Sequence, residues 1–242
     1  MIKYITVLFF LVSGFASAEI FGRFSSGSWH DLKGTWRIGS EFVEKLPGSD
    51  DVVQLISKDE IIELSDASVT VKSLGVGSWE PGLVQKVVLI VRTNLTAELI
   101  NIGFSKDVPR QRWGSGELVV SGGEVITHGN TFIGGTGNGT LTVSNGGVFR
   151  NNAWRITLGS TGKIVIDDGI VSMKNGVLME EGAIIHINGT SQLHISGSNQ
   201  SRAGSPILDY IKSGWIFGNG TAGNVLITYD GQKTVISVPP GK

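Results

Sequence analysis

At 242 residues, with 40% hydrophobic and only 17% charged side chains, the chain is long enough to bury a sizeable core and too apolar to stay disordered. Its 20 basic and 21 acidic residues nearly balance, which argues against a nucleic-acid partner, for which a basic stripe is needed. There is no cysteine, so disulfides, thiolate metal sites and thiol nucleophiles are excluded, and 35 glycines without a triplet period exclude collagen and indicate many tight turns.

In chain order the first element is a leader. Lys3 precedes an almost unbroken apolar run from Ile5 to Phe15, and Ala16-Ser17-Ala18 supplies small residues at the cleavage positions. This is the pattern of a secretory signal peptide over residues 1–18, cleaved before Glu19. The run is shorter than the ~20 residues that span a bilayer. No later segment is long and apolar enough, so no membrane span is expected in the mature chain, and the expected location is secreted, extracellular or cell surface, with the periplasm as an alternative. Residues 19–51 carry Trp29, Trp36 and Phe42 without any repeat and are expected to form an N-terminal cap. The alternative use of Trp29 and Trp36 is a sugar-stacking platform.

From residue 52 onward the chain reads as strands, irregularly at first in Val69–Gly77 and Val87–Val91, then as a repeat. Stretches beginning at Gly116, Gly139, Gly162 and Ala183 start 23, 23 and 21 residues apart. A period near 20–25 residues without helical spacing indicates a β solenoid. Leu118, Leu141, Ile164 and Ile185 share one position, and Val120, Val143, Ile166 and Ile187 the position two residues on, which lies on the same strand face. Val119, Thr142, Val165 and His186 between them are expected to face outward. Val125, Val148 and Val171 form a third expected core column after the turn. Ser121, Ser144, Asp167 and Asn188, then Gly122, Asn145, Asp168 and Gly189, are expected to stack as turn columns.

The repeat Gly-x-Leu-x-Val-Ser-x-Gly-x-Val, preceded by Ile133-Gly134-Gly135-Thr136-Gly137-Asn138, resembles the passenger repeats of bacterial autotransporter adhesins and related secreted repeat proteins. That resemblance implies an all-β, pectin-lyase-like, right-handed parallel β-helix, here over 52–202 and most regular over 116–190. Residues 203–242 are expected to form a C-terminal cap. Ser205-Pro206 starts a short helix with Leu208, Ile211 and Trp215 on one face, and two strands flanking Asp230-Gly231 form a hairpin.

Chemistry is sparse. Hydrolysis of a polysaccharide needs two carboxylates roughly 5–9.5 Å apart. The outward column Glu117, Thr140, Lys163, Ile184 holds one acid, and Val119, Thr142, Val165, His186 none. Asp167 and Asp168 are a weak Ca²⁺ candidate, because hard oxygen ligands suit that ion, or else simply turn acids. His30, His128, His186 and His194 form no metal motif, although His186 and His194 could share a metal across a turn. Arg110, Arg112 and Trp113, with Arg150, Trp154 and Arg155, fall in expected connections between strands and would suit an anionic glycan. The expected function is a non-catalytic secreted or cell-surface structural or adhesive module without a cofactor, with an extracellular glycan or surface matrix as partner. The alternatives are a polysaccharide-active enzyme, lyase or glycoside hydrolase, and a glycan-binding module.

Overall fold

The computed structural model describes residues 18–23, 25–55, 59–77, 86–103, 115–135, 137–153, 155–197 and 206–239. Most of the leader therefore lies outside the described residues, as do Arg110, Arg112, Trp113 and Trp154. The strands in chain order are β1 (Ile20–Arg23), β2 (Gly27–Ser28), β3 (Trp36–Ile38), β4 (Glu41–Val43), β5 (Val52–Leu55), β6 (Ile61–Leu64), β7 (Val69–Val76), β8 (Lys86–Val91), β9 (Asn94–Ile102), β10 (Ser115–Ser121), β11 (Glu124–Thr127) and β12 (Thr131–Ile133). They continue as β13 (Gly139–Ser144), β14 (Val148–Asn151), β15 (Ile156–Leu158), β16 (Gly162–Asp167), β17 (Ile170–Met173), β18 (Val177–Met179), β19 (Ile184–Asn188) and β20 (Gln192–Ser196). After the helix α1 (Ile207–Lys212) come β21 (Ile216–Gly218), β22 (Thr221–Ala222), β23 (Leu226–Tyr229) and β24 (Lys233–Ser237).

Strands of successive repeats pair in parallel. A first ladder runs β2-β6-β8-β10-β13-β16-β19-β21. A second runs β7-β9-β11-β14-β17-β20 and a third β1-β5-β7-β9-β12-β15-β18; these two join into one sheet because β7 and β9 belong to both. The fold is thus nearly all β, built of long parallel sheets consistent with a β-helix. No helix among the described residues is long and apolar enough to cross a membrane.

In the first ladder the register is the one the repeat implies. Leu118, Leu141, Ile164 and Ile185 are successive partners, as are Val120, Val143, Ile166 and Ile187, and all eight are fully buried. Full burial of one such aliphatic side chain contributes about 1.5–3 kcal/mol. The first column extends beyond the visible repeat through Leu89 and Ile62 on one side and to Ile216 on the other, and the second through Val91 and Leu64 and to Gly218. Parallel pairing therefore reaches β1 and β2 within 19–51 and β21 beyond 202.

The third expected core column is corrected by one residue. Val125 pairs with Phe149, and Phe149 with Val171, so Phe149 points inward while Val148 is half-buried opposite Glu124 and Ile170. The turn after β13 holds one residue more than its neighbours, with Asn145 and Gly146 both at positive φ. A one-residue shift moves every following side chain to the opposite face of the strand. Arg150, expected in a connection, lies inside β14, paired with Ile126.

Glycines heading the repeats have a steric cause. Gly116, Gly139 and Gly162 are register partners in the first ladder, where the third ladder ends against it. A Cβ on Gly139 would lie 2.2 Å from the Ile102 carbonyl oxygen, and one on Gly162 2.3 Å from that of Ile133.

Both ends of the parallel array switch to antiparallel pairing. β3 pairs antiparallel with β1, β24 with β20, and β22 with β21. Trp29 and Trp36 are fully buried with ring centroids 5.0 Å apart, which removes them as a sugar platform, whereas Phe42 is exposed. Arg23 occupies a core position beside them, donating to the Ser25 and Trp29 carbonyls, with its guanidinium 5.2 Å from the Trp36 ring centroid. At the other end α1 buries Ile207 and Tyr210, and Ile211 and Trp215 pack half-buried against the core as expected, while Leu208 is exposed. The Tyr210 hydroxyl accepts the edge N–H of Met179, and its ring stacks on Trp215. A hairpin joins β23 and β24, and the Asp230 carboxylate caps its turn by accepting the N–H groups of Gln232 and Lys233.

Candidate functional site

Among the described residues three places carry groups capable of chemistry, and each is assembled by stacking. The first is the corner between the first and second ladders. Gly122, Asn145, Asp168 and Gly189 all adopt positive φ there, the backbone state that glycine, asparagine and aspartate tolerate best. Ser121, Ser144, Asp167 and Asn188 precede them in register. Asn145 donates to the Ser121 hydroxyl at 2.9 Å, which is also within reach of Arg92. Arg92 in turn pairs with Glu63 at 2.5 Å, so one hydrogen-bonded line crosses four successive repeats. Asp168 is held by this corner rather than aimed at a ligand: its N–H donates to the buried Ser191 hydroxyl, and its carboxylate faces Thr190 at 3.4 Å. Among the described residues no three acids, histidines or cysteines gather to hold a metal, so Asp167 and Asp168 find no third acidic ligand.

The second place is the outward face of the first ladder. Glu117, on this face, is paired with Lys86 and also accepts the Thr142 hydroxyl at 2.7 Å. The next outward column runs Glu63, Ile90, Val119, Thr142, Val165, His186 and Phe217. His186 stacks on Phe217 at 4.7 Å, and partial burial with the nearby Lys163 charge pushes its pKa down.

The third place is the outward face of the second ladder. Arg150, Ser172 and His194 are consecutive register partners there. Arg150 pairs with Glu124 at 2.5 Å. His194 lies 2.6 Å from the Gln192 side chain through Nε2 and 3.3 Å from the Lys233 ammonium through Nδ1. Burial pushes its pKa down, the Lys233 charge adds to this, and Asp230 opposes it only in part. A neutral imidazole donating through Nε2 and accepting at Nδ1 satisfies both contacts. With both ring nitrogens engaged, it is not poised to take a proton from Ser172. His186 and His194 lie on different ladders, in β19 and β20, and neither belongs to a group of three or more acids, histidines or cysteines among the described residues.

Of the expected glycan-binding residues, Arg150 is half-exposed in β14 with its carboxylate partner, and Arg155 is half-buried just before β15. Arg110, Arg112 and Trp113 fall between β9 and β10 and Trp154 between β14 and β15, so the two groups belong to different connections. The group around His194 was not legible in the sequence, because Lys233 reaches it through the antiparallel pairing of β24 with β20. A basic residue two or three positions after Asp-Gly was the available signal.

Comparison with protein-family models, with curated proteins and with solved structures finds no match.

Proposed function

We propose that the chain is exported and works as a non-catalytic structural or adhesive module, built as a right-handed parallel β-helix closed by its two antiparallel ends. The observation that carries this reading is how the outward polar groups are used. Glu63, Glu117 and Glu124 each pair with a cation from a neighbouring repeat, and Ser121 and Asn145 bond across repeats. Such groups hold one repeat to the next and converge on no common point where a substrate bond would sit. Right-handedness is supported by the strong general preference of parallel crossover connections for that hand. Export is supported by the leader pattern, and a surface role by the resemblance of the repeat to autotransporter passengers.

The test is to incubate the purified protein with neutral polysaccharides and polyuronates and to follow reducing ends and unsaturated uronate products. No turnover is expected. Turnover abolished by Glu124→Gln or Asp167→Ala would overturn the non-catalytic reading. A glycan array probed with wild type and with Arg150→Ala separates adhesion through glycans from a purely structural role.

A further inference from the structure

The first residue of the described parallel array is tied down by a buried carboxylate. The Glu19 N–H donates to Asp51 Oδ1 at 3.0 Å, and the other carboxylate oxygen of Asp51 accepts the Gly48 N–H at 2.8 Å. Asp51 is only 7% exposed, and no described side chain forms an ion pair with it. The Glu19 carbonyl accepts the Val52 N–H at 2.9 Å, continuing into the parallel pairing of β1 with β5. Lys45 is the nearby cation, and it is committed to the Glu19 side chain at 2.6 Å. A desolvated carboxylate is thus met at Glu19 by a neutral amide, where a cation would be far better matched.

We propose that Glu19 becomes the N-terminal residue of the exported protein, and that its new α-ammonium forms an ion pair with Asp51 that locks β1 onto β5. This rests on reading residues 1–18 as a cleaved leader. Ala18, on the leader side of the bond, is exposed. Water adds across the Ala18–Glu19 peptide bond, the C–N bond breaks, and Ala18 keeps the new carboxylate. Glu19 keeps the nitrogen, which is protonated to ammonium at neutral pH. The donor to Asp51 changes from a neutral N–H to a charged N–H at the same position, without movement of the strand. Cleavage would therefore tighten the first strand of the array only after export.

Three measurements test this. N-terminal sequencing is expected to read Glu19-Ile20-Phe21; another start would overturn both the lock and the leader reading. Titration of the α-amine by NMR is expected to give a pKa at least one unit, or tenfold in proton affinity, above the ordinary ~7.7–8.0. In Asp51→Asn, which keeps an oxygen acceptor for Gly48, the pKa should return to the ordinary range. A chain retaining Ala18 should melt lower than the mature chain and be less sensitive to Asp51→Asn. A Glu19 terminus whose amine titrates alike in wild type and Asp51→Asn would overturn the lock while leaving the leader reading intact.

Discussion

Between Lys86 and Gly197 no large hydrophobic side chain among the described residues is exposed. Ile20, Leu32, Phe42 and Ile61 are exposed on one side of that stretch, and Leu208, Leu226, Ile227 and Tyr229 on the other. The contrast reflects what a repeat can and cannot do for itself. An internal repeat has a neighbour above and below, so its apolar columns and its backbone groups are covered by copies of the same pattern. A terminal repeat has one neighbour, and its other side must be closed by something that is not a repeat. This chain uses buried tryptophans and an arginine at one end, a tyrosine hydroxyl on a strand edge at the other, and antiparallel strands at both.

The contrast is sharpest when the same kind of change is made in body and end. Val143→Asp places an unpaired charge between repeats and should cost about 3–5 kcal/mol. Thr142→Lys, one residue away on the half-exposed face, keeps a partner for Glu117 and should change stability by under about 1 kcal/mol. Equal losses in urea denaturation would break the register. At the N-terminal end Trp36→Ala should cost about 3–5 kcal/mol, since the ring is fully buried, and Phe42→Ala should be mild. If Trp36→Ala left the denaturation midpoint unmoved, the end would not be closing the core.

Gly139→Ala is a smaller insult with a local cause. Its Cβ would meet backbone atoms at 2.2 Å, so a loss of about 2–3 kcal/mol is expected. Gly146→Ala has nothing within 4 Å and only the positive φ against it, costing about 1 kcal/mol. The two melting curves should separate clearly.

Protonation of His194 gives a pH effect of definite sign. Its folded pKa lies below the unfolded value of about 6.5, so the unfolded chain binds more protons as the pH falls below that range. The stability associated with the neutral ring is present above that range and is lost as the pH drops toward the folded pKa. His194→Gln should flatten the stability profile as the pH falls below about 6.5, and an unchanged slope would contradict the assignment. The smallest effect should come from Glu124→Gln, which breaks an exposed pair with Arg150 and is expected to shift stability by under about 1 kcal/mol.

The sequence was legible where connections are short. From β12 to β13, β15 to β16 and β18 to β19 the connections are five, three and four residues, so the period shows. Nine residues separate β7 from β8, and twelve separate β9 from β10, which stretches the interval from Leu89 to its partner Leu118 to 29 residues. The strands pair as before, but the added residues hide the repeat. Phe149 was missed for the opposite reason: one extra turn residue preserved the spacing of Val125, Val148 and Val171 by eye while exchanging the faces. Polar core positions such as Thr127 and Asn151 carry no apolar signal at all, yet Asn151 bonds the Thr131 hydroxyl and the Gly129 carbonyl inside the array. The group around His194 depended on a hairpin returning onto β20, a long-range fact that no local pattern encodes.

The central claim is that parallel, in-register stacking continues through the stretch where the sequence period fails. The absence of cysteine makes cross-linking a clean probe. Ile90 and Val119 are register partners facing outward, and adjacent strands lie about 4.8 Å apart, within disulfide reach. Ile90→Cys with Val119→Cys is expected to oxidise readily to an intramolecular disulfide, while Ile90→Cys with Glu117→Cys, offset by two residues and about 8 Å apart, should not. Cross-linking of the second pair in preference to the first would contradict the stacking described here.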